Sequence, residues 1–325
     1  ILGVFGGDIE SSGSLWDFIS FIIVYISAIL LFVMAFIGTK KSSKSFFIYK
    51  LIWLQEIFII SGLSGTIIGF VLTLHSMELA PLPETDPTMS LISNLAIAMI
   101  TMLYGFMGAL TVYLIQKYYE MKHDKTDNIN VEKPKEGFLI LSLICFLLIG
   151  GFTGGAMYIG SINMGGVTVL FSSDSFIYHI IILIIFILFY GGNSFINLIK
   201  NLFWYIPDTE KNINYNIKYI RDMKKILAMI ICIALLCAPI VMLVSFVVEA
   251  NNPTVGLKNG ALQFMWILDF IILLTIIEGR EVTKLYFQTG KINAGDRFYS
   301  IKYILAPSFL LFFTFTFGIL ISFIL

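Results

Sequence analysis

Eight apolar stretches, each long enough to cross a bilayer as a helix, constrain this 325-residue chain more than any other feature. A hydrocarbon core of ~30 Å takes about 20 helical residues to span. The stretches run Trp16 to Gly38, Phe46 to Ser76, Met89 to Lys117, Gly137 to Ser161, Ser175 to Trp204, Lys225 to Glu249, Gly260 to Glu278 and Ser300 to Leu325. An open sheet edge has no partner for its backbone in hydrocarbon, so helices are the economical way across. The expected fold is all-α, a polytopic transmembrane helical bundle of eight spans. Composition agrees, with 58% hydrophobic and 13% charged residues, against roughly 25% charged in a soluble domain.

Lys and Arg gather in loops on the cytoplasmic side. If the first span runs inward, 20 of the 21 cations fall on that side, in clusters from Lys40 to Lys50, Lys117 to Lys135, Lys200 to Lys225 and Arg280 to Lys302. Lys258 falls outside. The outer segments carry Asp8, Glu10, Glu78, Glu84, Asp86 and Asp174, and Pro81, Pro83 and Pro87 stiffen the loop after the second span. The expectation is a multi-pass protein of a bacterial inner membrane with both ends of the sequence outside. An outward N-terminus usually follows an earlier helix, and because the sequence opens at Ile1, one further helix is expected ahead of it.

Lys+Arg and Asp+Glu both number 21, so no basic excess remains to neutralise a phosphate backbone, which excludes nucleic acid as a partner. Cys145, Cys232 and Cys237 all lie in apolar runs and imply neither a disulfide framework nor a CxxC site. His75 and His179 come with no local ligand motif, so haem is not expected, and no catalytic constellation such as GxSxG is present.

The two halves resemble each other weakly. Gly6-Gly7 precedes Asp17-Phe18-Ile19 at the opening of a span, and Gly165-Gly166 precedes Ser175-Phe176-Ile177. Each half then shows a basic inner linker, an outgoing span, an outer loop with proline and an ingoing span. The organisation expected is a first repeat over 1–130, a degenerate second copy over 131–285 if the chain is duplicated, and an inner linker with a terminal transmembrane helix over 286–325.

The second span reads SGLSGTIIGF over 61–70 and the third reads IAMITMLYG over 97–105. Ser61, Gly65 and Gly69 recur every four residues, with Gly62 beside them, which makes a flat helix face able to admit a neighbouring backbone. Ala98 and Gly105 do the same on the third span. Thr66 and Thr101 then place hydroxyls inside the membrane next to those contacts. A threonine can also satisfy itself on the preceding turn of its own helix, so plain packing is the other reading.

Together these residues resemble the MotA/TolQ/ExbB family of ion-driven motor subunits. The family's G-x-x-G-T-x-x-G run is matched by Gly62, Gly65, Thr66 and Gly69, and the A-x-x-T-x-L-Y-G run of its MotA branch by Ala98, Thr101, Leu103, Tyr104 and Gly105. Ala96 stands where the TolQ/ExbB branch tends to carry glutamate, so the MotA branch fits better; Met102 replaces a threonine common in that branch. The linker from Thr39 to Tyr49 stands where the family has a large cytoplasmic domain. The resemblance implies a homo-oligomer, a pentamer, around two copies of a single-span MotB/ExbD-like partner whose carboxylate binds the coupling ion. Thr66, Thr101 and Tyr104 would lie on the path of that ion, a proton or sodium, with no other cofactor. The chain would then be a non-enzymatic stator subunit that turns ion flow into mechanical work.

Acids inside a membrane are costly and are functional candidates by default. Glu56 is expected near the inner interface, reaching cytoplasmic water or pairing with Lys50, or relaying ions from the path. Asp269 lies mid-span with no cation one turn away, which suits an ion or partner site. Glu278, Arg280 and Glu281 read as a solvated cluster at the inner helix end. The rival function is a secondary transporter with Asp269 or Glu56 as its coupling site.

Overall fold

The computed structural model describes residues 18–36, 39, 44–79, 87–122, 143–151, 192–203, 208–247 and 253–289, with single helical residues at 155, 158, 177, 180, 181 and 184. Every described residue except Thr39, Asp208 and Thr209 is helical. Seven α-helices stand out among them: α1 Phe18–Phe21, α2 Ser27–Phe36, α3 Lys44–Leu79, α4 Pro87–Lys122, α5 Gly192–Phe203, α6 Glu210–Val247 and α7 Pro253–Thr289. A π-helical turn, Ile22–Ile26, joins α1 to α2. The expected spans Trp16 to Gly38 through Gly260 to Glu278 all contain helix, and Ser300 to Leu325 lies outside the described residues, as do the double glycines and Ile1 to Phe5.

Among the described residues, two segments are long and apolar enough to cross a membrane, Ser45–Leu74 with a mean hydropathy of 2.2 and Ala98–Met121 with 1.8. They differ in setting. The first is apolar on every side and buried along nearly its whole length, as expected of a helix surrounded by others. The second buries one face and exposes Leu103, Phe106, Leu110 and Leu114 on the other, a three-to-four residue spacing that keeps them on one stripe.

Helix α3 is the hub, contacting α4, α7, α2 and the π turn, while α7 reaches on to α6 and α5. Both α4 and α7 open with a proline, whose missing N–H would be unpaired at that point in any case. Thr209 caps α6, with its Oγ1 accepting from the Asn212 N–H at 3.4 Å, and Glu210 sits at the positive end of the helix dipole.

Aromatic contacts tie α3 to its neighbours. The Phe46 ring stacks on Tyr286 of α7 at 4.2 Å, and Trp53 meets Phe36 of α2 edge-on at 5.1 Å. The Trp53 indole N–H also donates to the Thr275 carbonyl at 2.8 Å. Gly279 gives it room, since a Cβ there would lie 3.1 Å from Trp53 Nε1. These pairs run in opposite directions along α3 and α7, so the two helices are antiparallel.

One boundary differs from expectation. Lys211, Lys218, Arg221, Lys224 and Lys225 were expected in an inner loop, but they ride on the first turns of α6, which is unbroken from Glu210 into the apolar run. Straight-chain lysine and arginine are good helix formers, so the basic segment continues the helix instead of interrupting it.

Candidate ion path and buried charge cluster

Helices α3 and α4 form an antiparallel pair held at glycine distance. A Cβ on Gly62 would lie 2.9 Å from Gly105 Cα and 3.0 Å from the Thr101 carbonyl oxygen. One on Gly105 would lie 2.7 Å from the Phe58 carbonyl oxygen, and one on Gly69 would lie 2.7 Å from Ala98 Cβ. Gly65 faces Ile23 and Thr101, both at 3.1 Å. With no hydrophobic drive between helices in lipid, this close approach gains its stability from dispersion contacts that a larger side chain would prevent.

Ser61 has a different role. An α-helix turns 100° per residue, so a four-residue repeat drifts about 40° at each step. The drift carries Ser61 onto the wall of a cavity bounded by α2 and α7.

The tight pair brings the two threonines together. Thr66 Oγ1 lies 3.0 Å from Thr101 Oγ1, Thr66 reaches the Gly62 carbonyl at 2.8 Å, and Thr101 reaches the Ala98 carbonyl at 2.6 Å. Both are buried, at 0% and 4% exposure. The hydroxyls therefore lie inside the helix pair and not on a surface of the single chain. Tyr104, one turn along, is buried against the Tyr25 and Phe21 rings at 6.1 and 6.4 Å. Toward the start of α3 and the end of α4, the Gln55 amide donates to Gln116 at 2.6 Å, and Gln116 donates to Glu120 at 2.6 Å, so the helix pair carries polar contacts at two levels.

The acids are placed differently from expectation. Glu56 is fully buried and its carboxylate pairs with Lys224 of α6 at 2.8 Å. It neither reaches water nor meets Lys50, for a geometric reason: six residues along a helix turn the side chain by roughly 240°. Lys50 instead donates to Thr39 Oγ1 at 2.6 Å and lies over the Phe46 ring at 4.8 Å.

Glu278 and Glu281, expected in a solvated cluster, are likewise fully buried, and Arg280 is 8% exposed. Glu278 binds Lys224 at 3.0 Å and Arg221 at 2.6 Å. Glu281 binds Lys284 at 2.7 Å and accepts from Asn201 at 2.9 Å and Asn216 at 3.2 Å. Helices α5 and α6 cover this end of α7, which is why its acids are dry.

Burial works against the Lys224 ammonium, but the Glu278 and Glu56 carboxylates outweigh it and hold its pKa above the ordinary lysine value. Burial pushes Lys284 below that value despite the opposing pull of Glu281. No single stretch of sequence announces this cluster; its signal is the three-residue spacing of Arg221 and Lys224 and of Glu278 and Glu281, which aligns each pair on one helix face.

Asp269, by contrast, lies at the chain surface and borders the same cavity as Ser61. Among the described residues no group of His, Cys, Asp and Glu is arranged to hold a metal. No protein-family model, curated protein or solved structure matches the chain.

Proposed function

We propose that the chain is a MotA-like stator subunit of an ion-driven complex in a bacterial inner membrane, with eight spans and the orientation given by its cations. In this reading five copies surround two copies of a single-span partner that supplies the ion-binding carboxylate. The observation that carries it is the pair of threonine hydroxyls, 3.0 Å apart, on the two helices with the GxxGTxxG and AxxTxLYG runs. Two hydroxyls give oxygen ligands for a sodium ion that has shed water, or a relay for a proton, at the depth where a partner carboxylate would work. Their burial adds a requirement: the partner reaches them only when the α3–α4 seam opens.

The test uses the complex purified through a tag on this chain and reconstituted in liposomes with pH- and sodium-sensitive dyes. Valine keeps the shape of threonine and removes its oxygen, and hydrogen bonds between membrane helices average only ~0.6 kcal/mol. Thr66→Val and Thr101→Val therefore leave the complex assembled and remove ion flux. Thr111→Val, on an exposed part of α4, leaves flux unchanged. Full flux in both seam variants under sodium and proton gradients refutes the reading.

The transporter reading is favoured by one observation, that Asp269 borders a cavity, whereas Glu56 is neutralised by Lys224. Native mass of the same preparation separates the two: a five-copy assembly with a second protein supports the stator, a monomer or dimer the transporter.

A further inference from the structure

A cavity of about 320 Å³ lies between α2, α3, α7 and the helical stretch 143–151. Ser27, Ser61 and Ser64 line it, at 5%, 4% and 6% exposure, and none of their hydroxyls has a hydrogen-bond partner among the described residues. The helical threonines behave differently. Thr66, Thr73, Thr111, Thr275, Thr283 and Thr289 each donate to the carbonyl four residues back, the ordinary way for a helical hydroxyl to satisfy itself. A buried polar group left unmatched costs about 1–3 kcal/mol, so three on one wall mark a place where a further group is accommodated.

The fourth polar wall residue is Asp269, which makes no hydrogen bond or ion pair among the described residues. Helix register sets it level with the serines. Trp53 of α3 touches Phe36 of α2 and Thr275 of α7, which fixes one common depth. From there Ser61 lies eight residues along α3, Asp269 six along α7 and Ser27 nine along α2. At 1.5 Å per residue these are offsets of about 12, 9 and 13 Å in the same direction. The π turn ends at Ser27, whose backbone N–H is shared between the Ile22 and Val24 carbonyls, and such turns recur at functional sites.

Every other lining residue among the described ones is apolar, including Leu31, Met34, Phe146 and Ile272. The volume corresponds to about ten waters at ~30 Å³ each, far more than one dehydrated cation occupies. Water in the remainder would face hydrocarbon on most sides. A ligand with one positive end and an apolar body matches both parts of the wall, in the size range of small-molecule pockets.

We propose that this cavity binds a small amphiphilic ammonium ion, a protonated amine on an apolar body of about ten heavy atoms. Asp269 supplies the counter-charge, the serine oxygens accept the ammonium N–H, and the apolar wall holds the body. The exposure of Asp269 makes its side of the cavity the entrance, open to the depth of the bilayer where an amphiphile dissolves. The site is separate from the Thr66–Thr101 contact and does not rest on the stator reading.

The test is equilibrium binding of radiolabelled phenethylammonium to the full chain in lipid nanodiscs, with empty nanodiscs as the partition background. Binding is saturable, and 2-phenylethanol, of equal size and no charge, does not compete. Asp269→Asn weakens it by roughly tenfold or more, the loss expected when a charge-assisted hydrogen bond is removed. Ser61→Ala combined with Ser64→Ala weakens it several-fold, and Thr111→Val leaves it unchanged. Ser64→Phe, which fills the cavity and keeps the carboxylate, abolishes it, and serves as the deciding variant if Asp269→Asn does not assemble. Absence of saturable binding, equal competition by the alcohol, unchanged affinity in Asp269→Asn or retained binding in Ser64→Phe overturns the proposal.

Discussion

Lys224 holds two acids from two other helices, and its removal makes a sharp test of the packing. Its side chain is 1% exposed and those of Glu56 and Glu278 are fully buried. Each pair at ~4 Å charge separation is worth about 4 kcal/mol at an effective dielectric near 20. Desolvation of each ion offsets several kcal/mol of that, so the intact cluster contributes little net stability. Breaking it is different, because a stranded charge keeps the desolvation cost and loses its partner.

In Lys224→Met, Glu278 retains Arg221 at 2.6 Å, whereas Glu56 loses the ammonium that faces it. The expected loss is about 3–5 kcal/mol. Glu56→Gln alone costs less, since Lys224 keeps Glu278. The double variant Glu56→Gln/Lys224→Met removes the stranded charge and is more stable than Lys224→Met by itself. Reversible unfolding in mixed detergent micelles, followed by circular dichroism, gives all four stabilities. If Lys224→Met unfolds with the wild type, or if the two single losses simply add, α6 does not dock on α3 through this ion pair and the packing described above is wrong.

Gly105→Ala places a methyl 2.7 Å from the Phe58 carbonyl oxygen and 2.9 Å from Gly62 Cα. Backbone blocks it on both sides, so it costs about 1–3 kcal/mol; Gly108→Ala meets only the movable Phe58 ring and costs less in the same unfolding assay. Gly279→Ala pushes on Trp53 Nε1 and Ala35 Cβ, 3.1 and 3.2 Å away. It loses about 0.5–1.5 kcal/mol with the indole hydrogen bond, and loses less when Trp53→Phe is already present. A cysteine at Thr85 reacts with an impermeant maleimide from outside the cell and one at Asn128 does not; reversed labelling overturns the orientation.

The α3–α4 seam was legible because it needs only one rule. Glycines and threonines at 62, 65, 66, 69, 101 and 105, with Ala98, follow helical periodicity, and periodicity is a local property of sequence. Ser61 belongs to the same four-residue series but drifts off the seam, a cumulative rotation that a spacing count overlooks. The charge cluster was not legible for a different reason. Glu56 finds Lys224 across about half of the chain, and a cation counted toward orientation gives no sign that it is buried. The basic run of α6 looked like a loop because charge suggests exposure; Lys211 and Lys218 are indeed exposed, but Glu278 on α7 and Glu56 on α3 draw Arg221 and Lys224 into the interior.

The three hydrogen bonds around Thr66 and Thr101 have a consequence in statistical terms. Three short oxygen–oxygen distances are available, to the Gly62 carbonyl, between the hydroxyls and to the Ala98 carbonyl, but the two side chains own two protons. Each proton has two destinations, and only the arrangement in which both point at each other is forbidden. Three arrangements remain, differing in the direction in which the pair is polarised and in no heavy-atom coordinate. The seam thus combines a close backbone-to-backbone contact with an orientational freedom like that of protons in ice. Its dipole can reverse by hydroxyl rotation alone, without repacking either helix.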